Sequence, residues 1–189
     1  MLRYIEEFKR YIAITSFRGV EISNIEEFFC AVHNEKSPNV GIQFFDAALI
    51  ATWQHLYFAT LNALTAFENN ISISNSITME TLVYASTQHQ IDNAMNLVGI
   101  SPNSREIAVL IIGEDRDAVN SVLKMVTKLV AVESDIRILN LIDSKVETIK
   151  GIFGISDIEI GAVTTTTGSE EEALVNLVIE RMALLATQR

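Results

Sequence analysis

The run Ile107-Ala108-Val109-Leu110-Ile111-Ile112 limits the possible folds more than any other stretch of this chain. Six consecutive apolar residues leave no polar face, so the segment reads as a central strand covered on both sides. A fold that contains it must lay helices against two faces of a sheet. With 49% apolar and 20% charged residues over 189 positions, the chain has enough apolar material to do so within one domain.

The flanking segments supply those layers. Tyr11 to Phe17 and Val40 to Phe45 read as strands, separated by a helix over Asn24–Val32 and a turn at Ser37-Pro38-Asn39. Asn24 is expected to cap its helix, with Glu26 and Glu27 in the first turn, where the helix dipole favours acids. Cys30, the only cysteine, falls in an apolar helical run and is expected to be a small buried hydrophobe. A single cysteine allows no intrachain disulfide, which favours a reducing, cytoplasmic setting. Ala47 to Phe67 is long and apolar but carries Thr52, Gln54, His55, Asn62 and Thr65, so it reads as a buried core helix capped by Asp46, not a membrane span. Helices follow over Thr78–Ala85, Gln88–Val98, Glu114 to Val132 and Val146–Phe153. Ile136 to Ile142 and Ile158 to Val163 are ambiguous, and Thr164 to Gly168 reads as a loop. Ser169 and Glu172 form a capping box that opens a last helix to about Ala186. The expected fold is α/β: residues 1–189 as a single domain, a small mixed sheet packed with several helices, and 170–187 as a C-terminal docking helix.

Enzyme signatures are missing from this pattern. The glycines make no phosphate loop, the three histidines lack metal-ligand spacing, and no Ser or Cys has the local context of a nucleophile. The expectation is a non-enzyme without cofactor or metal. The formal charge of −10 argues against a protein that coats nucleic acid, since that binding depends on many Lys and Arg contacts to phosphate.

Three features carry information about function. No Lys or Arg occurs from Ser37 to Ser104, although this window holds Trp53, Gln54, His55, Asn75, Gln88, His89 and Gln90. It reads either as a buried helical layer or as a neutral groove that takes nucleobases by stacking and edge hydrogen bonds. Within it, Thr87 and Gln90 have the spacing of a capping box, which leaves Gln88 and His89 at a helix N-terminus whose free N–H groups could receive a phosphate. The last helix is apolar over most of its circumference, so it is either threaded into the core or shared between the core and a partner protein.

An ordered series of residues then acquires a resemblance. His55-Leu56, Ala59, Ala63 and Ala66-Phe67 are followed by Glu80, Leu82, Tyr84 and Ser86, then Gln90-Ile91, Ala94 and Gly99-Ile100, and later by "GIFGISDIEI" and "VIERMALLA". From about Gln43 onward the chain resembles the kinase-binding regulatory subunit of the KEOPS complex, the PRPK-binding protein family. The resemblance implies a non-catalytic subunit that binds a small atypical kinase through its helical surface, including the C-terminal helix. The complex helps make threonylcarbamoyladenosine beside the anticodon of certain tRNAs, and the subunit binds the single-stranded 3′ CCA end. On this basis Leu177, Arg181, Met182 and Leu185 are expected at the kinase interface, and His55, Asn75, Gln88, His89 and Gln90 in a groove for the tRNA end. Two positions depart from the family. Thr87-Gln88-His89 stands where Gly-x-Arg is common, and the linker Ile71–Ser76 has none of the usual basic residues. Two other readings fit the same residues: a domain whose groove senses a nucleotide, and a structural kinase-docking adaptor with no RNA contact.

Overall fold

The computed structural model describes residues 1–187. Its sheet has strands β1 (Leu2–Ile5), β2 (Arg10–Arg18), β3 (Val40–Asp46) and β4 (Glu106–Gly113), in the spatial order β1-β2-β4-β3. The helices are α1 (Ile25–Glu35), α2 (Trp53–Glu68), α3 (Ile77–Ser86), α4 (Ile91–Val98), α5 (Arg116–Val130), α6 (Asp143–Phe153), α7 (Asp157–Thr167) and α8 (Glu170–Thr187).

The apolar run is strand β4, and it is central as expected. Leu110 sits between Ile14 and Gln43, and Val109 between Thr15 and Phe44. Alternation then divides the strand between two cores. Ala108, Leu110 and Ile112 join Ile12, Ile14 and Phe45 beneath α2, α3 and α8. Ile107, Val109 and Ile111 join Ala13, Phe17 and Phe44 beneath α1 and α5. A third cluster, including Ile149, Phe153, Ile160, Leu174 and Val178, holds α6, α7 and α8 together beside Ala51. The fold is thus α/β with a small sheet, but the sheet is antiparallel at every pairing and not mixed. Burial on both faces comes from two helical layers. A continuous apolar run reports that covering and is silent about strand direction.

Local differences have local causes. Asp46 caps a short 3-10 turn, Ala47–Leu49, through a 3.0 Å bond from the Ala48 N–H, and α2 begins only at Trp53. Thr164 to Thr167 belong to α7, because each hydroxyl bonds back to a backbone carbonyl and so is satisfied inside a helix. Strand β1 was not foreseen; its four residues pair with β2 through Leu2↔Ala13 to Ile5↔Arg10. Cys30 is exposed, since α1 turns Val32 inward and leaves Phe29 and Cys30 on its outer side.

Candidate functional site

The expected site residues separate into four places. His55 lies in the first turn of α2 with no exposed surface. Its Nδ1 accepts the Ala51 N–H at 3.2 Å, so its Nε2 carries the hydrogen and donates to the Ala85 carbonyl at 2.8 Å. Ala85 is in the last turn of α3, where carbonyls lack intrahelical partners. The imidazole therefore ties the start of α2 to the end of α3, with the Phe153 ring edge-on at 5.3 Å. Desolvation lowers its pKa to about 4, against a smaller raising effect of the Ala85 bond. His55 is a neutral strut of the core and not a groove residue.

The corner between α3 and α4 also differs from expectation. Thr87 is not an N-cap. It closes α3 in the left-handed region, with φ of 54°. Its N–H bonds to the Tyr84 carbonyl and that of Gln88 to the Val83 carbonyl, the paired bonds of a Schellman ending. This takes Thr87 and Gln88 out of α4, so the proposed capping box is not formed. Gln90 takes the N-cap position without a side-chain cap bond. Gln88 is half-buried, its side chain donating to the Ser86 carbonyl at 3.4 Å, while His89 and Gln90 are exposed.

Asn75 lies at the other end of α3. At 1.5 Å per residue the ten residues of α3 span roughly 15 Å, so Asn75 and the Gln88–Gln90 corner do not share one pocket. The linker carrying Asn75 is held by buried Glu80, whose carboxylate accepts the N–H groups of Ile73 at 3.0 Å and Ser74 at 2.8 Å. Gly41 lets the start of α3 lie close on β3: a Cβ there would meet Thr78 Cγ2 at 2.6 Å. Asn75, Phe67 and Thr78 line a cavity of about 390 Å³ that Arg10 and Lys36 also enter. Both cations come from outside the neutral window. Arg10 pairs with Glu114 at 2.8 Å, and Lys36 donates to the Val40 carbonyl at 3.3 Å. Nothing in local spacing could have joined Arg10 to Asn75.

The last helix is threaded between cores. Leu177, Met182 and Leu185 are buried, at 4%, 0% and 2% exposure, so as the chain is folded they are not surface contacts. Arg181 is half-buried and its guanidinium binds Glu159 of α7. That carboxyl is lowered to about 2, chiefly by the Ser156 N–H and next by Arg181. Beyond its acidic first turn, α8 instead turns Asn176, Glu180, Ala183, Leu184, Ala186 and Thr187 outward. Leu184 is 41% exposed, and Phe58 on neighbouring α2 is 37% exposed. Phe58, Ile179, Gln54 and Asn176 line a cavity of about 560 Å³ that α2 and α8 share with Asn140, Leu141 and Ile142.

A cavity of about 890 Å³ opens between α6, α7 and α8, where Asp143, Glu147, Asp157, Glu170 and Glu171 surround Lys150. Bonds to Asp157 and then Glu147 raise the Lys150 amine to about 12. Among the described residues no group of three or more His, Cys, Asp or Glu side chains could hold a metal ion. No helix among them is long and apolar enough to cross a membrane.

The family model described as "Kinase binding protein CGI-121" matches residues 17–186. The chain is also 29% identical over 144 residues to a protein of Methanocaldococcus jannaschii named "Regulatory protein Cgi121", covering 75% of this chain and 83% of that one. The match spans both helical layers, strands β3 and β4, and the C-terminal helix, and on that extent this chain belongs to the CGI-121 kinase-binding protein family.

Proposed function

We propose that this protein is a non-catalytic regulatory subunit that docks on a small atypical kinase within a KEOPS-type assembly and helps hold the 3′ CCA end of tRNA for threonylcarbamoyladenosine synthesis. The observation that carries the reading is the family match over residues 17–186, because its description names kinase binding. The exposed residues give the docking surface. Phe58 of α2 and Ile179 of α8 line one cavity, and Leu184 adds an exposed apolar position further along α8; these replace Leu177, Met182 and Leu185 as the contact set. Large apolar side chains grouped on neighbouring helices are what a partner protein covers.

For the tRNA end, the favoured region runs along α3. Asn75 with Arg10 and Lys36 offers amide and cationic donors at one end, and Gln88, His89 and Gln90 offer exposed polar edges at the other. An extended single strand is the ligand that can touch both ends at once. Phosphate contacts would come from Arg10 and Lys36, so the salt dependence of binding should be shallow. The assembly belongs in the cytoplasm on this reading.

Two experiments test it. Phe58→Asp with Leu184→Asp should abolish capture of the purified kinase while the circular dichroism and melting temperature stay those of the parent. Unchanged capture would refute the docking face. Purified subunit titrated with tRNA, intact and lacking its CCA end, should bind only the intact form. Equal binding to both would put the RNA contact outside the CCA end, and binding to neither, even with the kinase present, would leave a kinase-docking adaptor without RNA contact. Arg10 is held by Glu114 and Lys36 by the Val40 carbonyl, so each must leave that partner to reach a phosphate.

A further inference from the structure

Lys145 stands in the first turn of α6 and is 6% exposed. Among the described residues its Nζ has no hydrogen-bond partner. A buried ammonium without partners is costly, and such groups are rare in folded proteins. The charged groups around it do not relieve it. From β4, Glu106 attracts it but is bonded to Arg18 at 2.6 Å. From β3, Asp46 attracts it but already accepts the Ser104 hydroxyl and the Ala48 N–H. From α2 it faces His55, which is neutral. The turn Ala47–Leu49, against which α6 also packs, has no titratable side chain. Asp157 of α7 and Glu170 and Glu171 of α8 line the outer groove with Lys150, a groove Lys145 does not line.

We propose that Lys145 is a protonation-controlled latch on α6. With the amine neutral, the helix stays closed and keeps its Ile149 and Phe153 packed in the cluster with Ala51. With the amine protonated, a locally opened α6, in which the side chain reaches water, gains population. Burial lowers the amine to about 8 in the closed helix, from 10.5 when solvated. The closed form therefore binds the proton less well, so opening is favoured at low pH and suppressed as pH rises through this window. Between pH 7 and pH 9 the opening equilibrium should fall by about tenfold. Because Phe153 touches His55, the opening reaches the first turn of α2, next to the cavity lined by Phe58 and Ile179.

Pulsed amide hydrogen exchange on the full chain tests this. After correction for the intrinsic rate, protection of the amides from Val146 to Phe153 should rise about tenfold from pH 7 to pH 9 relative to those of β4. In Lys145→Met the same amides should be better protected at pH 7 than in the parent, with no further rise at pH 9. Lys145→Leu serves as a second variant with the same expectation. A flat profile in the parent protein, or an equal rise in parent and variants, would overturn the proposal. So would a change shared equally by β4, since that is global stability and not a latch.

Discussion

Replacing His55 with leucine tests the strut assignment through two independent numbers. The first is the loss at neutral pH. The Ala51 N–H and the Ala85 carbonyl would lose their partner in an interior closed to water, at roughly 1–3 kcal/mol each, less some gain from the apolar side chain. A loss of about 2–5 kcal/mol is a large share of a typical stability of about 5–15 kcal/mol. The second number is the pH dependence. The folded state holds the imidazole at about 4, below the ordinary 6.5, so folding excludes its proton. The resulting stability is fully present above pH 6.5 and is lost as pH falls towards 4. Between pH 7 and pH 4.5 the parent should lose about 2 kcal/mol through this group alone. Carboxylate titration is common to parent and variant and cancels in the difference. Urea unfolding followed by circular dichroism at pH 7, 5.5 and 4.5 measures both numbers. The gap between parent and variant should narrow by about 2 kcal/mol on acidification. A constant gap would mean that His55 reaches water or an acidic partner, and the strut assignment would fail.

Other substitutions probe neighbouring claims. Glu80→Ala should destabilise the fold by roughly 2–4 kcal/mol, because the N–H groups of Ile73 and Ser74 lose their acceptor, and thermal melts will show it. Gly41→Ala should cost about 1–3 kcal/mol, as the new methyl meets Thr78 at 2.6 Å and pushes α3 off β3; an unshifted urea midpoint would contradict that contact. Met182→Asp should lose at least about 4 kcal/mol by burying a carboxylate where no exposed surface exists, so it should unfold or aggregate instead of merely losing the kinase. A folded Met182→Asp protein that fails to bind kinase would restore this position to the interface.

Residues near in sequence were readable because periodicity within one element reports its burial. The run at Ile107–Ile112 fixed a covered central strand, and Asn24 and Ser169 marked helix starts through bonds to N–H groups two or three residues away. The same logic failed where two local solutions compete. Thr87 could cap α4 or close α3, and only the docking of α3 against α2, with His55 on the Ala85 carbonyl, selects the second. It also failed for α8, whose apolar content left open a helix threaded into the core or one shared with a partner, and did not say which side chains the core takes. The core took Leu177, Met182 and Leu185 and left Leu184 outside. The family resemblance was legible in side-chain order, and most of the residues that carry it, such as Leu56, Ala59, Ala63, Leu82 and Tyr84, are buried in this chain. Local sequence thus determined the elements, their caps and the demand for two helical layers. Tertiary structure alone decided strand direction, the burial of His55, and the arrival of Arg10 and Lys36 beside Asn75. Those depend on contacts between residues far apart in the chain, which no local spacing encodes.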